Sequence, residues 1–313
     1  MGKFSVAILT YGDRYVFLSK VLDSLLAQKF SVIYVFCNGL GSHREDRLRK
    51  NYGDSRIKYL SSEINLGSAG GYNKLLQYIY RHDRSDYLLL LDDDNLIKTD
   101  FLAQISDLPL NSRELLLFNR PDRHLPSRAV IERNPRLIMG PEDGFLGHSI
   151  FGYSVRSAAN FEGDLLAAPY GGLLIPASVY KSGVLPDEKL FLYGDDYDFT
   201  FRLCSVAGYK IVFVKSPSVV DLEKSFHLNR GPIYALLSNR YILANDNQLF
   251  FSVRNQIYLS WRDSHCRICA FINFSFFLPI YLFQFLVRGQ LMRSWLFLKA
   301  VAAGLRLWLR GIL

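Results

Sequence analysis

Hydrophobic positions in this chain gather into short, unbroken runs, and between the runs they recur at helical spacing. Residues 6–9, 32–36 and 57–60 are apolar runs of strand length, and residues 87–91 add Tyr87 and four leucines with no polar face. Such runs suit strands buried on both sides. Between the first two, Val16, Leu18, Val21, Leu22, Leu25 and Leu26 recur mostly three or four residues apart, which predicts a helix. Residues 43–50 are charged and read as an exposed helix, and residues 72–80 as another. Strands alternating with helices predict an α/β domain with a doubly wound, mostly parallel sheet. Ligands of such sheets bind beyond the carboxyl ends of the strands. Thr10-Tyr11, Asn38-Gly39 and Asp92-Asp93-Asp94 all stand at such ends.

The pattern then weakens. Residues 119–161 are rich in Arg, Pro, Gly and His, and read as a functional loop region or a partly mobile one. Order returns at residues 167–175, continues through FLYGDDYDFTFRLC, and reaches a further strand at 210–214. Residues 268–287 carry no charge and are rich in Phe, Leu and Ile. That length permits a membrane span, but Asn273, Ser275, Pro279 and Gln284 interrupt it. Basic residues bracket it and recur among Leu and Trp to the end, which suits helices lying in the interface of an anionic bilayer. A buried or oligomeric face is the third reading. The division expected is a catalytic domain over residues 1–225 and a helical region over 226–313.

Composition narrows the classes. The chain has 313 residues, half of them hydrophobic, with a formal net charge of +8. No nucleic-acid signature accompanies that charge, so no nucleic-acid partner is expected. Cys266 and Cys269 form a C-x-x-C without a second pair or a suitably spaced His, which argues against zinc. All four cysteines read as reduced thiols. The N-terminus enters a strand at once, with no signal-peptide pattern. Oligomeric state is not legible.

Three features carry chemistry. Three adjacent carboxylates, Asp92 to Asp94, repel one another and call for a cation. Strand alternation would put Asp92 and Asp94 on one face, suited to a hard divalent ion. Asn65-Leu66-Gly67-Ser68-Ala69-Gly70-Gly71 precedes a helix, where glycines allow close approach and helix amides favour phosphate. Gly194-Asp195-Asp196-Tyr197-Asp198 places three more carboxylates at a helix start, as dipole partners or as a general base.

A strand ending in Thr-Tyr, then Asn-Gly, N-x-G-x-x-G-G, D-D-D and G-D-D-x-D-F-x-x-R, in that order over residues 4–260, resembles an inverting family 2 glycosyltransferase of GT-A fold. Within that family the glycine-rich stretch and triple aspartate most resemble galactofuranosyltransferases. Phe250-Phe251-Ser252-Val253-Arg254-Asn255 is similar to an aromatic-aromatic-x-x-Arg-Asn element that follows the family's catalytic domain. The resemblance implies that Thr10, Tyr11 and Asn38 line the nucleotide pocket, joined in donor binding by Arg14, Asn65, Gly67, Gly70, Gly71, Asp92 and Asp93. Cys37 stands where an acidic residue is usual. Asp92 and Asp94 would hold Mn2+ or Mg2+ on the donor diphosphate. Asp196, or else Asp195, would be the base. A late metal ligand, often His in the family, falls on Asp221, with His227 as the alternative. The implied enzyme moves galactofuranose from UDP-galactofuranose to a growing lipid-linked glycan at the cytoplasmic face of the inner membrane, as a peripheral protein. Rhamnosyl or other hexosyl transfer is the alternative within the family. An aspartate-nucleophile phosphatase is the alternative outside it, although Leu96 and Phe199 break that pattern.

Overall fold

Leu88 to Leu91 form the middle of a strand with no exposed face, as an apolar run without polar alternation requires. The computed structural model describes residues 2–152, 163–223, 237 and 240–311. They fall into two compact units, the first holding residues 2–138, 163–191 and 195–223. In chain order its elements are β1 (Phe4–Tyr11), α1 (Tyr15–Leu26), β2 (Val32–Asn38), α2 (Ser42–Asn51), β3 (Ile57–Ser62), α3 (Gly67–His82), β4 (Tyr87–Asp92) and β5 (Asn95–Ile97). Then come α4 (Phe101–Ser106), β6 (Glu114–Asn119), α5 (His124–Ile131), β7 (Leu173–Pro176), α6 (Asp195–Ser205) and β8 (Lys210–Asp221).

The strands form one sheet in the order β3-β2-β1-β4-β7-β6-β8-β5. The β3-β2-β1-β4 half is parallel, each strand joined to the next through a helix or, for β4, through α3. β7 runs antiparallel between β4 and β6, and β5 antiparallel beside β8. The sheet is thus α/β as expected but mixed. β7 is reached through a long irregular excursion instead of a helical crossover, which removes the constraint that makes neighbours parallel. On one face Ile8, Val35, Leu89 and Leu91 pack with Leu18, Leu22 and Leu25 of α1 and with Phe101 and Phe118. α3, with Leu75, Leu76 and Ile79 buried, packs on β1 and β2. Thr10, Asn38 and Asp92 end up at the carboxyl ends of three adjacent parallel strands.

The second unit holds residues 139–152, 192–194, 237 and 240–311. Its helices are α7 (Arg240–Leu243), α8 (Asp246–Arg262), α9 (Arg267–Leu286) and α10 (Leu291–Arg310). Leu249, Val253 and Ile257 of α8, Phe277, Tyr281 and Phe285 of α9, and Phe297 and Val301 of α10 form a separate core. A capping box of Asn245 and Gln248 starts α8. The described part of the irregular stretch, residues 119–152, is more ordered than its pattern suggests. It contains α5, whose Pro126 sits in the first turn, where a missing N–H costs little. It also supplies Asp143, whose carboxylate accepts from Ser264 Oγ and the backbone N–H groups of His265 and Cys266 at 2.8–3.1 Å, securing the start of α9. The Arg-Asn element has an internal role here. Arg254 Nε donates to Asn255 Oδ1, and buried Asn255 donates to the carbonyls of Leu192 and Tyr193, the latter at positive φ.

Candidate active site

β4 ends at Asp92, and Asp93 and Asp94 form a turn into β5. Strand alternation therefore does not extend across the triplet, and the three side chains differ for another reason. Asp93 is buried: one oxygen accepts from Thr10 Oγ1 at 2.8 Å and the other from Arg14 Nε at 2.7 Å. Arg14 also reaches Glu223 at 2.7 Å and Asp94 at 3.7 Å, and its guanidinium lies near the rings of Tyr11 and Phe17. Asp92 is the open one, its side chain 39% exposed and 3.3 Å from Arg120.

Burial pushes the Asp93 carboxyl up to about 6 against the pull of Arg14 and Thr10. Burial, then the Asp92 and Asp93 charges, push Asp94 up to about 7. The network joins five carboxylates, Asp92, Asp93, Asp94, Asp221 and Glu223, to three guanidiniums, Arg14, Arg120 and Arg123. A surplus of two formal negative charges remains, and this suits a divalent cation. Asp92 and Asp94 fit as its protein ligands if donor oxygens complete the shell, since magnesium-type sites often use one or two carboxylates plus substrate phosphates. Among the described residues no group of three or more His, Cys, Asp or Glu side chains is arranged to hold a metal by itself.

Asp221 does not fit as the late ligand. Its Oδ1 accepts from Asn95 Nδ2 at 2.9 Å and Arg120 Nε at 2.7 Å, and its Oδ2 from Arg123 Nε at 2.9 Å. With its side chain almost wholly buried, both oxygens are taken by cations the chain already supplies. His227 lies outside the described residues.

The donor-binding set is also redistributed. Tyr11 is exposed and open to a ligand. Thr10 is committed to Asp93. Asn38 is buried, and its amide is consumed in bracing the turn before α3: Nδ2 donates to Asn65 Oδ1 and the Gly67 carbonyl, and Oδ1 accepts from the Leu66 N–H. The glycines are required by close packing. Gly67 has φ +71°, and a Cβ there would collide with the Phe191 carbonyl, which accepts from the Ala69 N–H. A Cβ on Gly70 or Gly71 would meet Leu66 or Leu9. A cleft beside Thr10, lined by Gly12, Tyr15, Leu18, Leu40 and Leu48 with Arg44 and Arg47, offers an apolar wall and positive charge.

The braced turn places Ser68, whose hydroxyl donates to Asp195 Oδ1 at 2.8 Å. Asp195 is 2% exposed, and among the described residues its Oδ2 makes no well-formed hydrogen bond, although the Tyr170 hydroxyl lies close enough to favour the ionised form. Tyr72 and Tyr170, with ring centroids 4.0 Å apart, lie within electrostatic reach of both Asp195 and Asp196. Asp196 is half-buried, and among the described residues its side chain accepts only the Tyr197 N–H, through Oδ1. Burial raises both carboxyls, and Asp196 is raised further by the Asp195 charge and then by Asp92. Asp198 differs: fully buried, it is paired with Arg202 one helical turn on, at 2.7 Å. Asp196 is thus the unpaired, accessible carboxylate, within reach of the charge on Asp92.

Sequence reasoning missed Arg120, Arg123, Ser68, Tyr72 and Tyr170. Arg120 directly follows the apolar run of β6, which was a usable signal, because the aspartates were found by the same rule. Gly171 was the other. A Cβ there would strike Arg120 Nη1, Asn95 Oδ1 and Asp92 Oδ2, so only glycine lets those three groups converge.

Residues 5–113 match the family described as Glycosyl transferase family 2. No curated protein matches the chain significantly. Among solved structures, S. aureus TarS 1-349 in complex with UDP-GlcNAc aligns with TM-score 0.53 and 14% identity, over 97% of this chain and 81% of that one. Mannosyltransferase PcManGT from Pyrobaculum calidifontis, in complex with GDP-Man and Mn2+, aligns with TM-score 0.50 and 13% identity, over 97% of this chain and 87% of that one. These likenesses bear on the fold, and the family match bears on the chemistry. The family match over residues 5–113 and the GT-A fold shared with these structures together support a glycosyltransferase.

Proposed function

We propose that the protein transfers a sugar from a nucleoside diphosphate donor to a hydroxyl of a lipid-linked glycan, with inversion, at the cytoplasmic face of the membrane. The observation that supports this most is the half-buried Asp196. Among the described residues it has no cationic partner, its carboxyl is raised by burial, and it lies within electrostatic reach of Asp92. Asp92 and Asp94 would hold Mn2+ or Mg2+, which when bound stabilises charge on the leaving diphosphate. Arg14 and Thr10 keep Asp93 turned away from that face. Asp196 accepts the proton of the acceptor hydroxyl as its oxygen bonds to the anomeric carbon. The bond from that carbon to the phosphate oxygen breaks, and the nucleoside diphosphate leaves with the electron pair. Attack opposite the leaving group inverts the centre. Ser68 holds Asp195 in place beside the base.

The donor we favour is UDP-galactofuranose, on the resemblance of the glycine-rich stretch and the triple aspartate. Other hexosyl donors, rhamnosyl included, are the alternative. Purified protein incubated with a panel of UDP- and dTDP-sugars and a divalent cation should hydrolyse its own donor slowly, UDP-galactofuranose fastest. Preference for another sugar would reassign the donor. Absence of turnover with every nucleotide sugar, with an acceptor present, would refute transfer.

A further inference from the structure

α9 is the one described helix long and apolar enough to cross a membrane, at about 30 Å for its 20 residues. Asn273 and Gln284 interrupt its apolar run. Both turn out to lie on the inward face. Asn273 is wholly buried, donating to the Asp143 carbonyl at 2.8 Å and to Ser149 Oγ at 3.1 Å while accepting from the Ile150 N–H at 3.0 Å. Gln284 Oε1 accepts from the Leu237 N–H at 3.0 Å. Phe277, Tyr281 and Phe285 on that face pack into the core of the second unit. The helix is therefore fastened to protein along one side for its whole length.

The opposite side is apolar and open. Ile268, Phe271, Ile272, Phe276, Phe283, Leu286 and Val287 are exposed, one to seven residues apart, and Leu291, Met292 and Trp295 at the start of α10 are exposed as well. So many large apolar side chains in one stripe exceed the scattered exposure normal for a soluble surface. Along the sequence the charge that follows is one-sided. No acidic residue follows Asp263, while Arg267, Arg288, Arg293, Lys299, Arg306 and Arg310 do. Arg267, Lys299, Arg306 and Arg310 are exposed, and Lys299 lies over the Trp295 ring. An apolar stripe with cationic and Trp neighbours, and no acidic residue near it in sequence, complements an anionic lipid surface.

We infer that this stripe of α9 and the start of α10 is a monotopic membrane-binding face, with α9 lying in the interface of an anionic bilayer instead of crossing it. The inference does not depend on which sugar is moved. Its test is flotation of the full-length protein with vesicles of phosphatidylglycerol and phosphatidylcholine, against phosphatidylcholine alone, with circular dichroism confirming each variant is folded. Wild type should bind the anionic vesicles at least tenfold more tightly, with a blue shift in tryptophan emission. Phe271→Ser, Phe276→Ser and Phe283→Ser together should weaken that binding at least tenfold at low and high salt, whereas Lys299→Glu with Arg306→Glu should weaken it mainly at low salt. No vesicle binding, or binding unchanged by the serine triplet, would overturn the inference. So would a wild-type dimer that the serine triplet turns into monomers without vesicle binding, because the face would then belong to a second copy.

Discussion

The first unit contains two acidic triplets, and the protein treats them in opposite ways. Asp92 to Asp94 sit among three arginines, and the Arg14 and Arg120 guanidiniums reach into the triplet itself. Near Asp195, Asp196 and Asp198, Arg202 pairs with Asp198. In the first cluster the chain supplies most of the compensating charge and leaves a surplus that suits a divalent ion. In the second, Asp195 and Asp196 are left beside tyrosines, and burial lifts their carboxyls toward the range where a base exchanges protons near neutrality. On the proposed reading, the same residue type in the same density would serve metal and phosphate chemistry in one place and proton transfer in the other. Cationic partners and solvent access make the difference.

If that division is right, damage to each triplet should look different. The largest effect should come from the first. Asp94→Ala, or excess EDTA on wild type, should reduce sugar transfer to background while the thermal unfolding transition persists; full transfer in EDTA would remove the metal from the account. Asp196→Asn should come next, lowering turnover on the order of a hundredfold or more, measured as product formed at saturating donor. If Asp195→Asn is the more damaging change, the base is its neighbour.

The pH dependence sharpens the same contrast. A base raised by burial stays protonated in mildly acid solution, so wild-type turnover should climb as pH rises through neutrality, and the residual rate of Asp196→Asn should lose that limb. Stability should move the other way. An unfolded aspartate titrates near 3.8 and the folded Asp196 higher, so the fold holds the proton over a wider range and loses stability as pH rises through that window. Asp196→Asn should therefore melt above wild type in alkaline buffer and close to it in acid. A uniformly lower melting temperature would mean the carboxylate has a structural partner.

The smallest change should be Asp198→Asn. It breaks a buried charge-assisted contact with Arg202 and should cost about 2 kcal/mol of stability in chemical denaturation, leaving turnover per folded molecule nearly unchanged. A large loss of turnover would bring Asp198 into the catalytic group.

Much of this could be read in the chain. Unbroken apolar runs announced the parallel half of the sheet, and the carboxyl-end rule located Thr10, Asn38 and Asp92. The limits have physical causes. β7 is only four residues long and reached through a loop, so nothing in periodicity fixed its direction. Strand alternation failed past Asp92 because the chain turns there. Asn38 and the glycines of α3 were read as ligand contacts because a buried brace and a phosphate cradle use the same residue types. Asp221 was read as a metal ligand because Arg120 and Arg123, about a hundred residues earlier in sequence, give no sign that they fold onto it. Asn273 and Gln284 interrupt the apolar run of α9, but periodicity does not reveal that both lie on its inward face.

The central claim, that one triplet holds metal and diphosphate while the other moves a proton, is tested most directly by calorimetric titration of UDP into Asp94→Asn and Asp196→Asn in the presence of Mn2+. The account predicts that Asp94→Asn loses the manganese-dependent part of UDP binding, while Asp196→Asn binds UDP as wild type does despite its loss of turnover. Equal loss of UDP binding in both variants, or its loss in Asp196→Asn alone, would contradict the division.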